Sequence, residues 1–238
     1  METTSADIAD SPRPAPGGTV LGTDGLLRCP WGTSAADYIA YHDEEWGRPL
    51  HGDDALFERL SLEAFQSGLS WLTILRKRPA FRAAFAGFSI PAVARFGDAD
   101  VQRLLADAGI VRNRAKINAA IGNARAADAM EGGLSELIWS HAPEPGPAPR
   151  KVGDVPAVTP ESTALAKALK KAGFVFVGPT TCYALMQACG LVDDHLADCH
   201  ARRVKAPAGK TPARKSAAGK TTAGKTLAEK PPAAKVSR

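Results

Sequence analysis

Cysteine, long apolar runs and alternating patterns are all scarce in this sequence, and each scarcity closes off a class of protein. The chain has 238 residues and four cysteines, Cys29, Cys182, Cys189 and Cys199. They are too few and too scattered for a disulfide framework, which leaves metal binding or plain burial for the thiols. No apolar run approaches the roughly 18 residues that a membrane-spanning helix needs, so no membrane association is expected. The opening residues, METTSADIADSPRPAPGG, lack a basic segment followed by an apolar one, and without that secretory pattern the expected location is the cytoplasm. Period-two alternation is equally rare. FVFVG, residues 174–178, is its longest instance, so the expected body is all-α.

What is present is an ordinary globular balance, 45% apolar and 23% charged, with length enough for one main hydrophobic core. The formal charge of +5 is unevenly spread. Residues 201–238 carry eleven Lys or Arg against the single acid Glu229, a net of +10, so the other 200 residues sum to −5. That segment spaces its lysines among Ala, Gly, Pro and Thr with almost nothing to bury, and it is expected to be disordered. It resembles the Lys/Ala/Pro tails of linker-histone-like proteins and would hold nucleic acid non-specifically by counterion release; a merely solubilising extension is the alternative. Residues 1–25 read as a flexible leader and 26–200 as a helical body, which the Pro/Gly-rich stretch 141–160 divides in two.

Within the body, TSAADYIAYHDEEWG starts at a Thr/Ser cap and stops at Gly47, DDALFERLSLEAF starts at paired aspartates, DADVQRLLADAG runs from Asp98 to Gly109, and STALAKALKKAG stops at Gly173. At 100° per residue, Tyr38, Tyr41, His42, Glu45 and Trp46 share one face, aromatic rather than aliphatic. In the next helix Leu56, Phe57 and Leu60 form the apolar stripe, and Glu63 falls on it. A carboxylate there is costly unless something meets it; a helix-capping acid or a partner of an internal arginine is the plain alternative, as ordinary core is for the aromatic face.

His195 and Cys199 stand four apart, a spacing that puts two side chains on one face of a helix. With Cys29 and His42 from the other end of the body they would complete a zinc-type set that staples the domain's termini together. A satisfied core histidine is the alternative, and His200 is a competing ligand. Cys182 and Cys189, in TTCYALMQACG, read as buried thiols. LLADAGIVRNRAKINAAIGNARA reads as helix, turn at Gly109, helix, with Arg112, Arg114 and Lys116 at the start of the second helix. Such a helix start suits phosphate, although a plain helix connection with a solvated basic rim fits equally.

Taken together, YIAYHDEEWG, LFERLSLEAFQSGLSWLTILRKR, DAGIVRNRAKINAAIGNAR, ALKKAGFVFVGPTTCYALMQACGLVDDH and the terminal Cys resemble the bacterial 3-methyladenine DNA glycosylase I family of the helix-hairpin-helix superfamily, over about residues 27–200. The resemblance implies an all-α helix-hairpin-helix glycosylase fold and a structural Zn2+ held by Cys29, His42, His195 and Cys199. It implies Glu63 as the acid that hydrogen-bonds the extruded base, with Tyr38 beside it. Tyr41 and Trp71 match the aromatics that sandwich the base, making Glu63 and Tyr41 the catalytic pair, while Trp31 and Trp46 match further pocket aromatics. Gly68 and Leu69 match the loop that enters the DNA stack. Ala64 and Phe65 depart from the family's usual Gly and Gln.

The implied function is release of 3-methyladenine from alkylated double-stranded DNA by a monomeric, monofunctional base-excision-repair enzyme. Such a base must leave the helix and be held between aromatic faces. N3-methylation makes the adenine cationic, so electron-rich rings and a buried carboxylate favour it over normal adenine. The same charge weakens the glycosidic bond, which fits the lack of an obvious acid and base pair; Asp128 stands outside the matching motifs, and no lysine matches a Schiff-base nucleophile. Two other readings stay open at this point: a non-catalytic zinc-containing DNA-binding protein, separated by assaying base release, and a zinc hydrolase with an open metal position, separated by whether chelation removes activity or folding stability.

Overall fold

The structure is a computed structural model that describes residues 18–202. A two-residue antiparallel pair, β1 (Val20–Leu21) and β2 (Leu27–Arg28), precedes nine helices: α1 (Ala36–Glu44), α2 (Asp53–Gln66), α3 (Trp71–Ala84), α4 (Ile90–Ala94), α5 (Asp98–Ala106), α6 (Arg114–Asp128), α7 (Gly133–Trp139), α8 (Pro160–Lys171) and α9 (Pro179–Ala188). The described body is therefore almost wholly helical. FVFVG forms no strand. The pairing at Val20–Leu21 falls inside the stretch expected as a leader, and residues 1–17 and 203–238, with nearly all of the basic tail, lie outside the described part. No described helix is long and apolar enough to cross a membrane.

The helix starts follow local chemistry. Ser70 accepts a hydrogen bond from Thr73 N and opens α3, Asn113 accepts from Lys116 N and opens α6, and Thr159 accepts from Ser162 N and opens α8. The aspartates at the start of α2 do more than favour its dipole. Asp53 accepts from Ser135 N of α7 at 2.8 Å and Asp54 accepts from Ile90 N of α4 at 2.8 Å, so one helix start fixes two others. α1 differs from its expected start. Thr33 and Ser34 bond back to Pro30 and Trp31 and close a 3-10 turn, and α1 begins after them at an uncapped Ala35.

α2 is the central element and is buried on every side from Leu56 to Phe65. Leu56, Phe57, Leu60, Leu62 and Phe65 are all at most 1% exposed, and each such side chain contributes about 1.5–3 kcal/mol. Phe65 and Phe81 meet at 4.7 Å, and Phe85 stacks on Phe88 at 5.4 Å, extending this core into α3 and the turn after it. A helix buried all round ordinarily carries only apolar residues, yet α2 also buries Glu58, Arg59, Ser61 and Glu63. Glu58 is met by Arg82 and Arg59 by Glu45. Glu63 has no such partner, and this singles it out.

α6 anchors two loops. Lys116 Nζ donates to Phe65 O at 2.9 Å and Ser67 O at 2.5 Å, tying the start of α6 to the α2–α3 loop. The buried Asn123 donates to Val175 O at 3.0 Å and accepts from Val175 N at 2.8 Å, holding the α8–α9 loop. Removing a buried side chain that satisfies both backbone polar groups of a loop residue costs about 1–3 kcal/mol. Asn123→Ala should therefore lower stability by about that amount in urea denaturation; an unchanged midpoint would contradict the assignment.

Candidate base-binding pocket and metal cluster

A cavity of about 550 Å3 opens between α1, α2, the start of α3 and the end of α9. Trp31, Tyr38, Tyr41, Trp46, Glu63 and Trp71 all line it. Trp31 is the hinge of the aromatic wall, with Trp46 at 5.0 Å, Tyr38 at 5.8 Å and Tyr41 at 6.3 Å between ring centres. Tyr38 points its hydroxyl at Leu72 N, 2.9 Å away, and so fixes α1 against α3. Tyr41 and Trp71 are 5.5 Å apart and tilted by 46°. These two rings touch each other and form adjacent walls of the cavity. Trp46 lies beyond the end of α1 and reaches the cavity from the following turn.

Glu63 forms the polar point of this apolar enclosure. It is 8% exposed, and burial pushes its carboxyl up to about 8, with only the charge of Arg59 working the other way. Trp71 Nε1 is also buried without a hydrogen-bond partner among the described residues. A polar group left without a partner at a cavity wall, as the Glu63 carboxyl is, stands available to a ligand.

Three parts of the wall were not foreseen. Gln66 lines the cavity three residues after Glu63, a helical spacing that was available as a signal. Phe65, where the family's motif has Gln, turns into the phenylalanine core instead. Val152 and Val155 come from the Pro/Gly-rich stretch that the sequence offered only as a divider. Gln187 and Asp194 close the far side, with Asp194 accepting from Tyr183 Oη at 2.6 Å and from Gln187 Nε2 at 2.9 Å; only tertiary structure brings these together.

Next to the cavity, the two ends of the body meet. The ligand atoms of Cys29, His42 and Cys199, all buried, lie within 4.8 Å of one another. The proximity of the two thiols raises the Cys29 thiol and lowers that of Cys199, with His42 favouring the Cys199 thiolate. His42 Nε2 is 3.4 Å from Cys199 Sγ. Its Nδ1 is 2.7 Å from Asp43, a carboxylate that also receives Arg28 and His200. His195 adjoins the trio without joining its tight spacing: its ring packs 4.9 Å from His42 and 4.6 Å from Trp46, its Nδ1 meets Asp193 at 3.0 Å, and its Nε2 is 3.4 Å from His42 O. Gly47, at φ +74°, passes so close that an added Cβ would fall 2.8 Å from the His195 ring. His200 is the more exposed and serves Asp43. Cys182 and Cys189 are buried thiols.

The expected DNA-facing groups divide into two kinds. Gly68, at φ +80°, turns the α2–α3 loop so that Leu69 stands 42% exposed beside the cavity mouth. Arg112 and Arg114 are exposed at the α5–α6 turn, and Gly109 in that turn gives its carbonyl to Lys77. Lys116 was expected with the arginines, but its ammonium is taken up by Phe65 O and Ser67 O. It braces the Leu69 loop against the start of α6.

The Glu63 carboxyl makes a prediction about stability. An acid whose folded pKa lies above its unfolded value costs nothing at pH below about 4.5, where both states are protonated, and costs increasingly as pH rises towards about 8, where the folded form finally ionises. Between pH 5 and 8.5, Glu63→Gln should gain stability relative to the parent as pH rises; a difference independent of pH, measured by denaturant titration, would contradict this.

A sequence profile of the methyladenine glycosylase family matches residues 31–203. The DNA-3-methyladenine glycosylase of Haemophilus influenzae is 47% identical over 178 residues, 72% of this chain and 96% of that protein. DNA-3-methyladenine glycosylase 1 of Escherichia coli is 49% identical over 180 residues, 73% of this chain and 96% of its own length. Among solved structures, 3-methyladenine DNA glycosylase I from Staphylococcus aureus, described for its recognition of 3-methyladenine, has a TM-score of 0.71 at 37% identity and covers 74% of this chain and 97% of its own. With a match that spans the whole helical body and its cavity, the chain belongs to the methyladenine glycosylase family.

Proposed function

We propose that this protein releases 3-methyladenine from alkylated DNA by hydrolysing its N-glycosidic bond, the reaction named for its relatives. The observation that carries the reading is Glu63, a buried carboxyl without a hydrogen-bond partner among the described residues, set in an aromatic-lined cavity with room for a base. A neutral purine gains only stacking there. A cationic one gains roughly 0.5–2 kcal/mol from the faces of Tyr and Trp rings, and it draws Glu63 into its ionised form. When the C1′–N9 bond breaks, the bonding pair neutralises the base, and a water molecule supplies the hydroxyl at C1′ and releases its other proton to solvent. The departing base needs no protonation, so binding and orientation are the protein's main contribution.

In this reading Glu63 and Tyr41 act on the base, with Tyr38, Trp31, Trp46 and Trp71 enclosing it. Leu69, on its Gly68 turn, fills the gap that the base leaves in the stack, and Arg112 and Arg114 at the helix-hairpin-helix turn receive the phosphates. The lysine-rich residues 201–238 add sequence-independent affinity through counterion release. Methylated duplex DNA treated with this protein should yield free 3-methyladenine by chromatography, and Glu63→Gln should lower its release by about tenfold or more. Absence of release by the folded protein would overturn the function; equal release by the variant would overturn only the role of Glu63.

We further propose that Cys29, His42 and Cys199, with His195 as the fourth ligand, hold a structural zinc. Two observations support the donor set. The buried thiols sit beside the imidazole, and Asp43 and Asp193 occupy the Nδ1 atoms of His42 and His195, leaving Nε2 for a metal. The ion would fasten residues near position 29 to residues near position 199 and supply no reacting group. The purified protein should contain one equivalent of zinc by atomic emission, and its removal by a chelator should lower the melting temperature. A zinc-free protein, or a melting temperature indifferent to removal, would contradict the proposal.

A further inference from the structure

Behind the aromatic wall lies a cluster of charge that the reading above leaves unused. Glu45 receives two guanidinium groups, Arg78 through Nη1 at 2.6 Å and Nη2 at 2.7 Å, and Arg59 through Nη2 at 2.6 Å. Two cations share one carboxylate, so the trio keeps a net positive charge. Arg59 is its deepest member at 8% exposed, and its Nη1 is buried without a hydrogen-bond partner. Its Cζ lies 5.5 Å from the centre of the Tyr41 ring. It also precedes Glu63 by four residues on α2, the spacing that places two side chains on one face.

We propose that Arg59 is a positioning residue for base recognition: held behind Tyr41 by Glu45, its guanidinium sets how readily Glu63 becomes an anion when a cationic base enters. The inference rests on the reading of Glu63 as the recognition acid. A carboxyl removed from water resists ionisation, and a nearby cation lowers that resistance more effectively in a low-dielectric cavity than in solvent.

Among the described residues, no other side chain around Glu63 favours its anion. α1 contributes Tyr41 and the end of α9 contributes Cys189; burial pushes both groups up, and both are neutral at physiological pH. Across the cavity stands Asp194, an acid. α3 contributes Trp71 and, one layer back, Arg78, whose charge is spent on Glu45. Among the described residues Arg59 is the one charge that favours the Glu63 anion. Glu45 serves this arrangement by dividing itself between two arginines. Full neutralisation of Arg59 would leave little field at Glu63, and complete release would set a bare cation against the incoming base across a single ring.

The test is the pH dependence of single-turnover 3-methyladenine release for the wild type, Glu63→Gln, Arg59→Gln, Arg59→Lys and Glu45→Gln, each checked for folding by circular dichroism. In the wild type, release rises with pH as Glu63 ionises, and Glu63→Gln loses that rise. A wild type without the rise, or a rise kept by Glu63→Gln, overturns the reading of Glu63 and this inference with it. Arg59→Gln should move the midpoint up by about one pH unit, cutting release near pH 7 about tenfold and sparing the high-pH plateau, while Arg59→Lys restores the wild-type midpoint. An Arg59→Gln midpoint that stays in place, or a loss equal at every pH, overturns the role of Arg59 and leaves that of Glu63 standing. If Arg59→Gln fails to fold, Glu45→Gln reads the same coupling with the opposite sign: freeing Arg59 should move the midpoint down, and an unmoved midpoint counts against the proposal.

Discussion

The rest of the structure is arranged around one costly placement, a carboxyl largely withdrawn from water with no hydrogen-bond partner among the described residues. Glu63 sits on the most deeply buried helix of the body, where each neighbouring polar group except Ser61 has found an ion pair. An unpaired polar group in such a position costs free energy that the rest of the core must offset. The phenylalanine cluster of α2 and α3 does so on one side. On the other, the aromatic wall shields the carboxyl while leaving it a cavity to face. The strain of the placement and the usefulness of the placement are the same fact: a group that resists ionisation alone accepts it in the presence of a cation.

Holding a cavity open beside a packed core demands rigid edges, and the chain supplies them with long-range polar ties. Gly47 N donates to Gln187 O at 3.1 Å and Leu50 N to Cys189 O at 3.1 Å, so the turn after α1 is laced to the end of α9. Cys29, His42 and Cys199 draw the first and last parts of the body together directly beneath Trp31 and Trp46. Aromatic residues that line the cavity therefore rest on residues suited to a metal, which links the joining of the body's two ends to the shape of the cavity. Lys116 extends the same logic outward by tying the Leu69 loop to the start of α6.

Much of this was legible in the sequence wherever helical periodicity carried it. The apolar stripe of α2 put Glu63 on a buried face, and the run from Tyr38 to His42 announced an aromatic surface, because both signals are local. The family's motifs added roles that periodicity does not contain. What stayed hidden was long-range. Nothing local in Val152 and Val155 says that a Pro/Gly-rich connection folds back as a cavity wall, and nothing in Lys116 separates a carbonyl-bound strut from a phosphate contact. Arg59 was overlooked for a similar reason: its meaning comes from Glu45 and Tyr41 on another helix, not from its own neighbours on α2.

The central claim is that the protein stores a neutral carboxyl in its base pocket and that this group, Glu63, titrates far from its ordinary range. The most direct measurement is a carbon-detected NMR titration of side-chain-labelled glutamate in the free protein, with Glu63 assigned by its loss in Glu63→Gln. The account predicts a midpoint near 8. A midpoint near the ordinary value of 4.5 would contradict it, because the carboxyl would then be an anion at rest and its burial would no longer distinguish a cationic base from a neutral one.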